Sequence, residues 1–303
     1  MMPRQAHQPG SGNHRRWLII APPLVFLLVF FLIPFGFALA ISFAQTAIRV
    51  PPYTDVLSID HHHLHLLLKL DNYRYLLTDP VYVLSYLYSL KTAFFATLIC
   101  LVIGYPMAYA IARTSRGTQA VLLLIIILPF WTSFLLRVYA LEGVIREHGL
   151  LNQALQWLGL IRQPLKIMHT NTAVYIGIIY SYLPFMVLPL FATLEKLDRS
   201  LLEASADLGS PPWRAFLDVT LPLSMPGVIA GSMLVFIPAI GEYVIPSLLG
   251  GPGTLMIGRV LFDEFFSNRD WPMASALAFA MLIVVVVPIM VLQNAQSAVV
   301  TRK

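Results

Sequence analysis

Long apolar runs, separated by short polar ones, set the pattern of this chain. Six of them reach the length of about 18 residues or more that crosses a bilayer. They fall at Trp17–Phe43, Thr92–Ala112, Ala120–Leu141, Thr172–Leu194, Pro226–Leu249 and Met273–Leu292, and each predicts a membrane-spanning helix. The first follows Arg15 and Arg16 and contains Ala38-Leu39-Ala40, features of a secretory leader. A leader's apolar core is only about 7–15 residues long, so a retained helix is expected instead. Amphipathic pattern continues outside the spans. Val81–Leu90 extends the second one outward, Leu150, Leu151, Ala154, Leu155 and Leu158 recur at helical spacing, and Met256–Phe266 behaves alike. Short helices lying at the membrane surface are expected there.

Composition sharpens this picture. Of 303 residues 58% are hydrophobic and only 12% charged, about half the charge of an average soluble domain. Disordered and collagen-like chains are excluded, and one cysteine, Cys100, allows neither an intrachain disulfide nor a thiolate metal cluster. The net charge of +5 does not mark a nucleic-acid partner; its placement reads as a topology signal. With the N-terminus inside, Met1–Arg16, Arg113–Gln119, Glu195–Met225 and Gln293–Lys303 hold ten Lys and Arg in about 65 residues. The outer segments hold nine in about 100. Both termini are therefore expected in the cytoplasm, with tails at 1–16 and 293–303 around a transmembrane domain at 17–292.

The loop between the fourth and fifth spans carries the densest local signal. Ser200 and Glu203 have capping-box spacing and predict the start of a short helix. Gly209 predicts its end, because glycine enters the left-handed region at little cost. Ser210 is expected to cap a second helix opening on proline, and Pro222 to close the segment. Leu201, Ala204, Ser205 and Leu208 would share one face of the first helix, shaped for a groove in a partner. An ordinary amphipathic loop would also fit this spacing.

Beyond spacing, Glu203-Ala204-Ser205, Gly209 and Val219-Thr220-Leu221-Pro222 resemble the signature loop of permease subunits in bacterial ABC importers. Ser205 stands where that pattern has a second alanine, and Val219 where it has isoleucine. The likeness extends to Gly104-Tyr105-Pro106, to Leu128–Tyr139, to Gly241-Glu242-Tyr243-Val244-Ile245-Pro246 and to Asn268-Arg269-Asp270-Trp271-Pro272. These are similar to polyamine permeases, most of all to first permease subunits of putrescine-type systems, over roughly Pro51 to Leu292. The resemblance implies an all-α, six-helix integral membrane protein of type I importer architecture in the bacterial inner membrane, working by alternating access. It implies that Glu203, Ala204, Ser205, Gly209, Leu221 and Pro222, within a coupling loop at about 195–224, meet a cytoplasmic ATPase. It also implies a second homologous permease, two ATPase copies that hold ATP and magnesium, and a periplasmic polyamine-binding protein. This chain would carry no cofactor and would not itself be an enzyme.

Of Asp, Glu, Lys and Arg, only Arg137 and Glu242 fall inside the six spans, at comparable depth in the outer half. A charge there needs a partner or a polar cavity. Arg137 snorkelling outward, an Arg137–Glu242 ion pair, and Glu242 facing a substrate ammonium all fit. Pro238 and Pro246 bracket Glu242 and can break the helix there, as transport sites often require. Trp131, Tyr175, Tyr180 and Tyr182 supply rings that attract a cation, though each also suits packing or the interfacial belt. The His61-His62-His63 and His65 tract reads as a polar loop sooner than a metal site. No phosphate-binding glycine loop and no Gly-x-Ser-x-Gly or His-Glu-x-x-His motif occurs. The rival reading is a channel that uses no ATP; another cationic cargo, such as spermidine, is the nearer alternative.

Overall fold

The computed structural model describes residues 12–55, 57–60, 63–66 and 69–300. In chain order these give α1 (Ile19–Ser42), the antiparallel pair β1 (Leu57–Asp60) and β2 (His63–Leu66), and α2 (Asp71–Thr78). Next come α3 (Pro80–Ala112), α4 (Arg116–Trp131), α5 (Phe134–Ile145), α6 (Leu150–Trp157) and α7 (Asn171–Leu194). The last are α8 (Arg199–Asp207), α9 (Pro212–Ile240), α10 (Val244–Leu248), α11 (Ile257–Phe262) and α12 (Trp271–Val300). The chain divides into two compact units, residues 1–76 with 264–303, and residues 77–263.

In the first unit α12 packs along the C-terminal half of α1, with Phe35 edge-on to Phe279 at 4.7 Å between ring centres. Asn72 closes the end of α1 by donating to the carbonyls of Ser42 and Ala44. Thr46 donates to Asp270, which also accepts from the Met273 N–H at the start of α12. Of the histidine tract, His61 and His62 lie outside the described residues, while His63 and His65 lie on β2.

The second unit is built on α3, α7 and α9, which pack against one another as its core. Contacts between apolar helices in a membrane favour small residues that let backbones approach. Gly231 of α9 accordingly sits where a Cβ would come within 3.0 Å of the Met186 carbonyl oxygen. Tyr105 and Ser224 join α3 to α9 by a 2.8 Å hydrogen bond, and Ser89 of α3 accepts the Ile257 N–H that opens α11. The expected extension of the second span beyond Thr92 is present, since α3 begins at Pro80 under an Asp79 cap that accepts from the Val81 N–H. Helices also form at Leu150–Trp157 and Ile257–Phe262, as the amphipathic pattern indicates.

Two sequence expectations are corrected, the unbroken third span and the role of Pro222. Among the described residues the unbroken helices long and apolar enough to span number four, α1, α3, α7 and α9, or five if one bent pair is counted as a span. The third expected span is that pair: Arg116–Trp131 and Phe134–Trp157 meet at 98°. Pro129 lies in a tight 3₁₀ turn at Leu128–Trp131, and Thr132 is extended, which ends the first half. The sixth expected span lies in α12, which runs as one helix from Trp271 to Val300. Pro222 does not close the segment that follows α7. The helix passes through it, because a wide π turn at Phe216–Thr220 hands the Leu221 N–H to the Phe216 carbonyl and makes room for the proline ring. The same device precedes Pro34 in α1, at Leu28–Leu32.

The short helices between the fourth and fifth expected spans also start elsewhere than expected. Asp198, not Ser200, caps α8, its carboxylate accepting the Ser200 N–H at 3.0 Å. An ionised oxygen is the stronger acceptor, so it takes the role two residues earlier. Ser210 caps nothing: the next helix opens at Pro212, because a proline holds the residue before it, Pro211, extended.

Candidate functional site

Two broken helices meet near a buried charge. The α9 helix ends at Ile240, Gly241 to Tyr243 are non-helical, and α10 resumes at Val244. The break lies between Pro238 and Pro246 rather than at either, with both prolines inside helical segments. Gly258 fixes it from outside: a Cβ there would collide with the Gly241 carbonyl, so only glycine lets α11 come so close.

Glu242 sits in the break, 6% exposed. Its Oε1 accepts the N–H groups of Val244 and Ile245 at 3.0 and 3.2 Å, two of the donors that the start of α10 would otherwise leave free. Its Oε2 accepts the phenol of Tyr182, from the middle of α7. Burial of a carboxylate is tolerable only with this degree of satisfaction.

Arg137, 8% exposed, lies on α5, the half-helix after the other break, and α5 packs on α10. Its guanidinium lies over the Phe130 ring at 4.4 Å and farther from the Phe134 ring, at 5.6 Å. The Nε and Nη1 atoms are buried with no hydrogen-bond partner. Phe130 is perpendicular to Phe185 at 5.1 Å, and Phe185 is tilted against Tyr182 at 6.1 Å, so a row of rings runs from the guanidinium to the phenol on Glu242. No ion pair within 4.0 Å joins Arg137 to Glu242 among the described residues. Nor does Arg137 snorkel to the surface.

Of the aromatic residues singled out from the sequence, only Tyr182 touches Glu242. Tyr175 is half-buried, Tyr180 is 42% exposed, and Trp131 is 78% exposed on the outside of this chain. Sequence reasoning placed Glu242 and Tyr182 in one group but missed the break in the third span, for which Pro129 was the available signal. Among the described residues no group of three or more His, Cys, Asp or Glu side chains is placed to hold a metal.

On the loop after α7 the local fold is well formed while its surface is bare. Gly209 has φ +78°, the Gly209 N–H reaches the Ala206 carbonyl, and the Ser210 N–H reaches Ser205. This pair of bonds is the Schellman closure of α8. Glu203, Ala204 and Gly209 are exposed and Ser205 half-exposed, while Leu208 is 89% and Trp213 59% exposed. Leu221 and Pro222 lie where α9 leaves the wide turn. Asp198 is held below the usual carboxylate range, first by the Ser200 backbone N–H that it accepts and then by the Ser200 side chain.

A helical bundle of membrane-spanning length, interrupted twice around one buried carboxylate, defines a multi-pass membrane permease. The chain belongs to the family of binding-protein-dependent transport system inner membrane components, matched over residues 17–302. The spermidine/putrescine transport system permease protein PotB of Escherichia coli strain K12 is 44% identical over 225 residues, 74% of this chain and 82% of the relative. PotB of Haemophilus influenzae is 38% identical over 285 residues, 94% of this chain and 95% of the relative. A bacterial alginate ABC transporter, solved in complex with an alginate pentasaccharide-bound periplasmic protein, shares the fold. It superposes with TM-score 0.70 over 96% of this chain and 97% of its own, at 17% identity. The importer-permease resemblance and the all-helical membrane fold read from the sequence both stand.

Proposed function

We propose that this chain is one permease subunit of an ATP-driven polyamine importer of the bacterial inner membrane, with putrescine as its main cargo and spermidine as the alternative. The observation that carries the cargo class is the 44% identity to a spermidine/putrescine permease over three quarters of the chain. A buried carboxylate between two broken helices supports it, because a diamine shedding water needs an anion and ring faces at the point of passage. Glu242 is the cargo contact and Tyr182 holds it; Tyr175, Tyr180 and Trp131 line the path only where a second permease closes over them.

ATP and magnesium act on separate ATPase subunits. The α8 elbow, through Glu203, Ala204, Ser205 and Gly209 with Leu221 and Pro222 behind it, carries their movement into the bundle. Its exposed Leu208 and Trp213 are apolar surface awaiting a partner. The complex comprises this chain, a homologous permease, two ATPase copies and a periplasmic binding protein. Residues 17–292 form the permease domain, and the tails at 1–16 and 293–303 lie in the cytoplasm.

Uptake of labelled putrescine into proteoliposomes holding the assembled complex tests this. Uptake is expected to need ATP, to withstand excess spermidine, and to fall at least tenfold in Glu242→Gln with assembly intact. An assembled, ATP-hydrolysing complex that takes up neither polyamine would discard the cargo, and unchanged uptake by Glu242→Gln would remove Glu242 from the path.

A further inference from the structure

Arg137 and Glu242 are the two buried charged side chains among the described residues, and they are satisfied unequally. Glu242 accepts from three neutral donors, Tyr182 and the N–H groups of Val244 and Ile245. Arg137 has two buried donor atoms without an acceptor and rests its charge on Phe130. A guanidinium in that condition is expensive to keep, so a transporter retains it only where another state gives it a partner. Glu242 is the one other buried charge available to it among the described residues, in the break just before α10, which packs against the helix of Arg137. Each charge also stands beside a break, Arg137 just after the bend at 132–133 and Glu242 within Gly241–Tyr243, so each can move with its half-helix.

We propose that Arg137 is a positioning residue for turnover: a tethered counter-cation that takes the Glu242 carboxylate as the cargo's ammonium leaves. This rests on the reading of Glu242 as the cargo contact. In the loaded state the cargo neutralises Glu242 and Arg137 stays on Phe130. After release an empty buried carboxylate would hold on to the last ammonium; Arg137 replaces that ammonium and lets it go. The row Phe130, Phe185, Tyr182 lies between the two resting positions. Arg137 thereby sets the rate of release and return rather than the affinity of loading.

The test is a double-mutant cycle on putrescine uptake by the reconstituted complex, separating kcat from KM. Arg137→Gln is expected to lower kcat about tenfold with KM unchanged or lower, and Arg137→Lys to recover most of the loss, since an ammonium supplies the same charge. In a Glu242→Gln background Arg137→Gln is expected to change kcat less than twofold. An equal loss in both backgrounds, with lysine no better than glutamine, would show that Arg137 only packs on Phe130 and would overturn the proposal. A raised KM at unchanged kcat would overturn it too. Glu242→Gln with normal uptake brings down the cargo reading itself; impaired Glu242→Gln without coupling to Arg137 brings down this inference alone. Should Arg137→Gln not assemble, Arg137→Lys and Arg137→Met in both backgrounds close the same cycle.

Discussion

A carboxylate that accepts a phenol and two backbone N–H groups is held on three sides before any cargo arrives. Removing one of those donors leaves a buried oxygen short of a partner, at a cost of about 1–3 kcal/mol. Tyr182→Phe is therefore expected to lower the thermal midpoint of the detergent-solubilised protein by several degrees, read by intrinsic fluorescence. Its effect on Glu242 is local, so assembly with partner subunits should persist. The need of Glu242 for partners was legible in the sequence, because a lone acid in an apolar run must be satisfied. Its partners were not: the Tyr182 contact joins residues 60 apart, and which of four candidate rings would reach it depends on packing. The two backbone donors exist only because the helix breaks at Gly241, a place neither neighbouring proline marks.

At the scale of elements, length and periodicity revealed the helices, and proline chemistry decided their interiors. Pro129 ends a half-span in a tight turn, whereas Pro34 and Pro222 are absorbed by π turns just upstream. The same residue type thus breaks one helix and spares two others, and only the backbone around it tells which. The start of α8 was misplaced by a single acceptor, Asp198, and that acceptor makes the helix sensitive to acid. Its carboxyl is held below the ordinary range, so the ionised form favours the folded turn. The contribution is complete above the ordinary aspartate range and is lost as pH falls through the lowered folded value. Amide exchange at Ser200 and Leu201 is expected to lose protection over that acid window in the native chain. In Asp198→Ala it should be unprotected throughout and show no such step.

For the molecule as a whole, the telling feature is apolar surface that the chain alone leaves uncovered. On α1 the apolar window contains no buried residue, and Phe30 is 68% exposed. Lipid covers such faces, but Leu208 and Trp213 belong to a segment expected in the aqueous phase, where a protein partner has to cover them. Glu203→Arg or Gly209→Pro is expected to abolish co-purification of the ATPase while the second permease still co-purifies. Retention of the ATPase by both variants would favour the channel reading. Gly209→Ala is the milder case: at φ +78° it should cost roughly 1 kcal/mol and weaken coupling without ending it.

The π turn at Phe216–Thr220 has a mechanical consequence. By keeping the backbone helical through Pro222, it makes α9 a single rod from Pro212 to Ile240, 29 residues and about 43 Å long. One end stands at Trp213 and the other abuts the Gly241 break beside Glu242. One continuous helix thus joins the exposed surface around Trp213 to the break that holds Glu242, so a displacement at either end has a single backbone path to the other.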